Sequence, residues 1–201
     1  MCTETFLRLP EEKRTRFLNA AWEEFTSVRF VDASINKIVR RAGIPRGSFY
    51  QYFADKDDLF AYLLEDVRNY VKEEYRRVLI RNGGDIFQAQ VDCFDRFTSK
   101  DLTLDPVLMR CVKFMRNNQG LDIQKLIPAC PGQRLLDGLW DVMDLSALRR
   151  TDQEYGRAVF SLLTAALGAA FMDTLYRPEN RQLHRDELVL KLEIIRHGSL
   201  A

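Results

Sequence analysis

The feature that most constrains this chain is a pair of short amphipathic segments at residues 34–53. In the first segment, apolar side chains recur at the i, i+3, i+4, i+7 spacing of one helix face. Gly43 follows, and glycine readily ends a helix in the left-handed conformation. Pro45 then presets φ for a second helix, in which Phe49 and Phe53 stand at i, i+4. The apolar residues of the first segment are Ile35, Ile38, Val39 and Ala42.

Two short helices joined by a glycine-containing turn form the helix-turn-helix pattern. The spacing alone fits an ordinary helical hairpin with a solvated basic face equally well. The charge pattern favours nucleic acid, because residues 33–54 include no acidic side chain but several basic ones. A basic, hydroxyl-bearing surface of this kind suits phosphate contact. The basic residues are Lys37, Arg40, Arg41 and Arg46.

The full run of residues extends this pattern to a family resemblance. Ile38-Val-Arg-Arg-Ala-Gly-Ile-Pro-Arg-Gly-Ser-Phe-Tyr-Gln-Tyr-Phe53, followed by Lys56 and Leu59, resembles the DNA-binding pattern of the tetracycline-repressor (TetR) family. That pattern is Ile-Ala-x-x-Ala-Gly-Val-Ser-Lys-Gly-Thr-Leu-Tyr-x-Tyr-Phe, with Lys and Leu a few residues later. The similarity covers residues 14–63. The chain departs from the family pattern at Arg29, Val39 and Pro45.

The resemblance implies an all-α protein with two domains. Residues 1–55 would form a three-helix helix-turn-helix DNA-binding domain, and residues 56–201 a helical effector-binding and dimerisation domain. The implied function is a sequence-specific transcriptional regulator, a ligand-responsive repressor that binds a palindromic operator as a homodimer. The alternative is a DNA-binding regulator of the same fold without a small-molecule effector, either constitutive or controlled by another protein.

Eight residues are candidates for DNA contact. Gly47 has no side chain and would let the backbone approach a phosphate. Arg46 and Gln51 suit the guanine and adenine edges in bidentate geometry, and Ser48 suits either a phosphate or a base. Phosphate contact is expected from Ser34, Tyr50, Tyr52 and Lys56.

Lys56 carries an argument of its own. A cation in the first turn of a helix is locally unfavourable, so a partner must offset its charge. A DNA phosphate is one such partner, and the resemblance implies the same role. The other interpretation is a solvated surface lysine.

The flanking segments are predicted to be helical as well. A helix opening at Pro10 would brace the helix pair, with Trp22 in its core, and residues 1–9 are expected to be a frayed arm. Asp55 is the expected N-cap of a helix ending near residue 80, long enough at ~1.5 Å per residue to link the two domains mechanically. Asn82-Gly-Gly84 is the first strong break after it.

Further helices are expected throughout the rest of the chain, since no alternating strand pattern occurs. Asp85 would cap one helix, and Asp105-Pro106 would open another. The apolar spacing predicts a helix over residues 135–143. The Thr151-x-x-Glu154 sequence is a capping box for a long helix over residues 152–176, and a last helix is expected at residues 181–197.

The two C-terminal helices are the predicted dimer interface. The helix at residues 152–176 is apolar on nearly all sides and rich in small residues, which let another helix approach closely. The last helix carries Leu188, Leu192 and Ile195 on one face. We expect residues 152–197 to pair with their symmetry mates in an isologous four-helix contact. The alternative is burial within one subunit.

Aromatic and methionine side chains between residues 87 and 171 suit an adaptable apolar pocket. The predicted effector is therefore a small apolar or amphipathic molecule, although each of these residues also fits an ordinary core. The candidate pocket residues are Phe94, Phe97, Phe114, Met115, Trp140 and Met143.

An enzyme is not indicated. Both histidines, His184 and His197, fall in the last predicted helix, and no H-E-x-x-H, glycine-rich phosphate loop or G-x-S-x-G motif occurs. No cofactor or metal site is expected. The longest uncharged run, residues 158–172, is shorter than the ~18–20 residues that span a bilayer. A cytoplasmic protein is therefore expected.

Overall fold

The amphipathic segments of the sequence form helices. In the computed structural model, which describes residues 3–98, 105–119 and 138–200, every regular element is helical. Isolated bridges, Asp85 with Asp144 and Leu148 with Leu200, are the extended pairings among these residues. The all-α prediction is confirmed. The α-helices are α1 (Glu4–Leu7), α2 (Glu11–Ser27), α3 (Ile35–Ala42), α4 (Arg46–Tyr52), α5 (Lys56–Arg81), α6 (Ile86–Phe97), α7 (Pro106–Asn117), α8 (Gln153–Tyr176) and α9 (Arg181–Ser199).

Packing divides the chain into two units. The first contains α1 to α4, the part of α5 up to Asn69, and α7. The second contains the rest of α5 from Tyr70, together with α6, α8 and α9. This division falls inside α5 and assigns α7 to the first unit, whereas the predicted domains 1–55 and 56–201 follow function. The functional boundary stays a prediction.

Aromatic rings fill the first unit. Phe6 packs against Phe53 with 4.8 Å between ring centroids, and Phe53 stacks on Phe17 at 5.9 Å. The ring centroids of Phe60 and of Phe114 on α7 lie 4.2 Å apart. Burying one phenylalanine contributes ~1.5–3 kcal/mol, so these rings are a main source of stability. The expectation that residues 1–9 form a frayed arm is wrong, because residues 4–7 form α1 and Phe6 is fully buried.

Hydrogen bonds attach α7 to the rest of the first unit. The Asn118 side chain is buried, and its Oδ1 accepts from the Phe30 backbone N–H at 2.7 Å. Its Nδ2 donates to the Phe114 carbonyl at 2.8 Å. Arg110 donates to Asn19 Oδ1 of α2 at 3.1 Å. The bond between Phe30 and Asn118 and the bond between Arg110 and Asn19 connect the α7 segment to residues that are distant in sequence.

In the second unit, an ion cluster ties α6 to the start of α9. The buried Arg181 donates to Asp95 at 2.6 Å and to the Thr98 carbonyl at 2.9 Å, and Arg185 donates to both carboxylate oxygens of Asp95. Burial acts to raise the pKa of Asp95, but the hydrogen bonds from Arg185 and Arg181 outweigh it and leave the pKa below its ordinary value. The carboxylate is therefore charged at neutral pH.

The turn between α5 and α6 depends on Gly84. Its φ is +89°, and its carbonyl accepts from the Asp144 backbone N–H at 3.0 Å. A Cβ at this position would lie 2.6 Å from the Asp144 nitrogen. Only glycine combines the positive φ with this close approach.

Two local predictions in the second unit are wrong. The N-cap of α8 is Asp152, whose carboxylate accepts from the Tyr155 N–H at 3.0 Å, so the capping box at Thr151 does not form. The predicted helix over residues 135–143 is not found in its described part: residues 140–142 form one 3₁₀ turn and Met143 is extended. Leu135 and Leu136 lie outside the described residues.

Candidate nucleic-acid interface

The turn between α3 and α4 has the predicted form. Gly43 adopts φ +67°, and the Ile44 N–H donates to the Val39 carbonyl at 3.0 Å, which satisfies one free carbonyl at the helix end. Pro45 is the N-cap of α4 rather than its first helical residue. Ser34 is the N-cap of α3 as predicted, but its side chain makes no capping hydrogen bond.

The two helices bury one face and expose the other. On the inner face, Phe49, Ile38 and Ala42 each expose no more than 1% of their surface. The opposite side of α4 presents candidate DNA-contact residues. Arg46, Gly47, Tyr50 and Gln51 are exposed, and Ser34, Ser48 and Lys56 are half-buried.

Tyr52 differs from the other candidates because it is only 8% exposed. Its ring lies 5.6 Å from Phe6 and 6.1 Å from Phe17, so most of the side chain belongs to the aromatic core. A phosphate contact at this position can involve only the hydroxyl group.

Lys56 has partners within the protein. Its Nζ donates to the carbonyls of Phe30 at 2.8 Å and Val31 at 3.0 Å, and lies 5.0 Å from the Phe30 ring centroid. These carbonyls offset the unfavourable position of the charge at the start of α5. Because an ammonium group has three donors, one proton remains for a phosphate, and the predicted DNA contact stays a prediction.

Two acidic residues of α2 neutralise part of the basic stretch. Glu24 is 2% exposed, accepts from the Ser34 N–H at 3.1 Å, and lies 3.7 Å from Arg41 and 3.9 Å from Lys37. Glu23 pairs with Arg41 at 3.3 Å. A stretch that is free of acids in sequence is therefore not free of them in space. Sequence reasoning missed these partners, although Glu23 and Glu24 are adjacent acids on the bracing helix.

The predicted pocket residues do not all fall in one unit. Phe114 packs against Phe60 and Phe30 in the first unit, and Met115 is half-buried on the same helix. The other four belong to the second unit. Phe94 and Phe97 are buried on α6, and Trp140 and Met143 are half-buried.

Comparison with known proteins shows which family of DNA-binding proteins the segment containing α3 and α4 resembles. Residues 17–63 match the family model described as "Bacterial regulatory proteins, tetR family". The chain is 40% identical over 72 residues to YdgC of Bacillus subtilis, an uncharacterized HTH-type transcriptional regulator, covering 36% of this chain and 37% of that protein. It is 34% identical over 70 residues to the HTH-type transcriptional regulator HbdR of Aromatoleum, covering 35% and 31%. The chain thus spans about a third of the length of these two curated relatives.

Solved structures share the helical fold over nearly the whole chain. NalD of Pseudomonas aeruginosa, the secondary repressor of a multidrug efflux pump, aligns with a TM-score of 0.63 at 23% identity, covering 95% of this chain and 98% of its own. SmeT of Stenotrophomonas maltophilia, the repressor of another such pump, aligns with a TM-score of 0.58 at 18% identity, covering 98% and 93%. At these identities the likeness concerns the fold alone.

The buried position of Tyr52 allows its two roles to be separated. Tyr52→Phe keeps the ring contacts with Phe6 and Phe17, so the free energy of unfolding should change by no more than about 1 kcal/mol. If the hydroxyl binds a phosphate, affinity should fall by roughly fivefold on every duplex alike, because phosphates carry no sequence information. Chemical denaturation and fluorescence anisotropy measure the two quantities. Tyr62→Phe is the matched control, because Tyr62 is a half-buried tyrosine that packs on Phe6 and Phe53 in the same core and is not a candidate for DNA contact. Unchanged affinity for Tyr52→Phe would contradict a phosphate contact there.

Proposed function

The chain belongs to the tetR family of bacterial regulatory proteins, and from this premise we propose that it is a sequence-specific, DNA-binding transcriptional regulator. The observation that carries the proposal is the α3–α4 pair, which buries Phe49 and exposes Arg46 and Gln51 on the outer face of α4. An arginine and a glutamine on a short exposed helix have the donors and acceptors that read base edges in a major groove.

The remaining candidates provide a backbone clamp around this helix. A methyl group at Gly47 would meet no heavy atom within 4 Å, so a DNA backbone has room to approach there. Ser48, Tyr50 and the third proton of Lys56 supply donors for phosphates. We propose that Arg46 and Gln51 specify the sequence and that the others set the position of the helix on the duplex.

Selection of bound duplexes from a random pool tests the DNA-binding function. We expect a palindromic site whose half-sites lie ~34–36 Å apart, one helical turn.

Two substitutions separate base reading from phosphate contact. Arg46→Ala should cost about 1–3 kcal/mol of binding free energy and relax specificity at one position of each half-site. Lys56→Ala should weaken binding to all sequences alike and reduce the slope of log affinity against log salt concentration by about one. Equal losses on every sequence for Arg46→Ala would refute its base-reading role. The absence of salt-sensitive binding to any duplex would refute the function.

We also propose that α8 and α9 form the homodimer interface predicted at residues 152–197. Both helices bury one face within the subunit, where Leu163 and Leu188 are fully buried. Both helices also carry exposed apolar side chains, and α8 adds the exposed small residues Ala158, Ala165, Gly168 and Ala169. The large apolar residues that are more than half exposed on these helices are Leu162, Tyr176, Leu183, Leu190 and Ile194.

A membrane is the other environment that α8 would fit by length and composition. It is the one such helix in the described part of the chain, with a mean hydropathy of 1.7 over its most apolar 18 residues and 39% of that window buried. However, Arg157 and Asp173 lie on its exposed side, and contiguous exposed apolar surface also marks protein interfaces. We therefore propose a dimer contact, and a cytoplasmic protein.

Changing one exposed apolar residue tests the dimer. Ile194 is 64% exposed in the single chain, so Ile194→Glu should leave the subunit folded but place a charge in the proposed interface. Sedimentation velocity at micromolar concentration should show a dimer for the wild type and a monomer for this variant. Ile80→Glu is the matched control, since Ile80 is 58% exposed on α5. A wild type that sediments as a monomer would reject the interface.

We propose further that the second unit binds a small apolar or amphipathic effector, as against the alternative without an effector. The buried Phe94 and Phe97 and the half-buried Trp140 and Met143 support this class of ligand. An effector alters DNA binding only if it prefers one conformation of the protein. In a thermal-shift screen against apolar metabolites, an effector should raise the melting temperature and also change operator affinity. A compound that raises the melting temperature without changing operator affinity would not count as an effector.

A further inference from the structure

The recognition helix α4 is held at its C-terminal end by the start of the chain. The backbone N–H of Thr3 donates to the Tyr52 carbonyl at 3.1 Å, and Thr3 Oγ1 donates to the Gln51 carbonyl at 2.6 Å. The last carbonyls of a helix have no partner within the helix itself. Thr3 therefore supplies hydrogen bonds to two carbonyls in the final turn of α4.

Phe6 anchors this contact in the core. Its side chain is 0% exposed and touches four aromatic rings, with centroid distances between 4.8 Å to Phe53 and 5.7 Å to Phe17. Tyr52, the last residue of α4, is one of the four, at 5.6 Å. The Leu7 carbonyl accepts from Arg14 of α2 at 3.2 Å. Residues 3–7 are thus fixed to both α2 and α4.

The need for such a contact follows from the length of α4. A helix of seven residues is far below the ~12–15 residues at which isolated helices become marginally stable in water. Its position therefore depends on tertiary contacts. Base-edge hydrogen bonds are sensitive to displacements of roughly 0.5 Å, whereas phosphate attraction is not sequence-dependent and tolerates displacement.

We propose that Thr3 and Phe6 form an N-terminal clamp that positions the recognition helix for base reading. The clamp serves sequence-specific binding and not general attraction to DNA. Thr3 and Phe6 are positioning residues, because they act through α4. This inference rests on the proposed DNA-binding function.

The readout is the specificity ratio, defined as the affinity for the selected operator divided by the affinity for a scrambled duplex at the same salt concentration. Thr3→Val keeps the shape but removes the hydroxyl, which donates to the Gln51 carbonyl and also accepts from the Phe6 N–H at the start of α1. The specificity ratio should fall by about two- to tenfold, the equivalent of the one hydrogen bond to α4. Phe6→Ala should lower it further. The affinity for the scrambled duplex should stay the same in both variants.

Two controls separate positioning from general stability. Thr3→Ser keeps the hydroxyl and should retain the wild-type ratio. Leu7→Ala changes a residue of the same helix that is 50% exposed and should have no effect. Hydrogen exchange of the α4 amides should accelerate in Thr3→Val and not in Thr3→Ser, and this measurement does not depend on DNA.

The outcomes distinguish the clamp from the proposed function. If Thr3→Val leaves the specificity ratio unchanged, or lowers both affinities equally, the clamp is refuted while DNA binding stands. If the wild type binds no duplex with salt sensitivity, the proposed function fails, and with it the purpose of the clamp. If Phe6→Ala does not fold, the comparison of Thr3→Val with Thr3→Ser still tests whether the Thr3 hydroxyl positions α4 for base reading.

Discussion

The packing of Phe49 and Phe53 against Phe17 and Phe6 is the interaction on which the proposed DNA interface depends. Phe49 lies in the middle of α4 and Phe53 is its C-cap, and both are buried to within 1% of their surface. Because α4 is too short to be stable alone, its inner face must be buried for its outer face to hold a fixed position. The polar residues that we assign to DNA therefore rely on aromatic residues that never reach it.

Electrostatics in this unit balance two requirements. A DNA-binding surface needs positive charge, but adjacent cations repel one another in the free protein. Glu24, buried beneath α3, lies close to both Lys37 and Arg41 and accepts the Ser34 N–H. The carbonyls of Phe30 and Val31 accept hydrogen bonds from the Lys56 ammonium group and so stabilise its charge. Arg40 and Arg46 are both exposed, and Arg46 stands on α4, the helix to which we assign base reading.

The sequence predicted the features that local chemistry determines. Gly43 has the left-handed conformation that ends α3, Asp85 caps α6 through the N–H groups of Phe87 and Gln88, and α5 extends over 26 residues. It did not predict features that depend on distant contacts. Phe6 is buried by aromatic rings that lie far along the chain, and Lys37 and Arg41 lie beside acidic residues of another helix. No periodicity or spacing records such pairings.

The same reasoning explains why the binding unit is larger than its sequence pattern. The resemblance begins at residue 14 and the family model matches from residue 17, yet Thr3 and Phe6 contact the end of α4. On the other side, Asn118 and Phe114 of the α7 segment contact Phe30, whose carbonyl binds Lys56. A pattern describes which residues form the two helices. The position of those helices depends on contacts made by both the beginning and the middle of the chain.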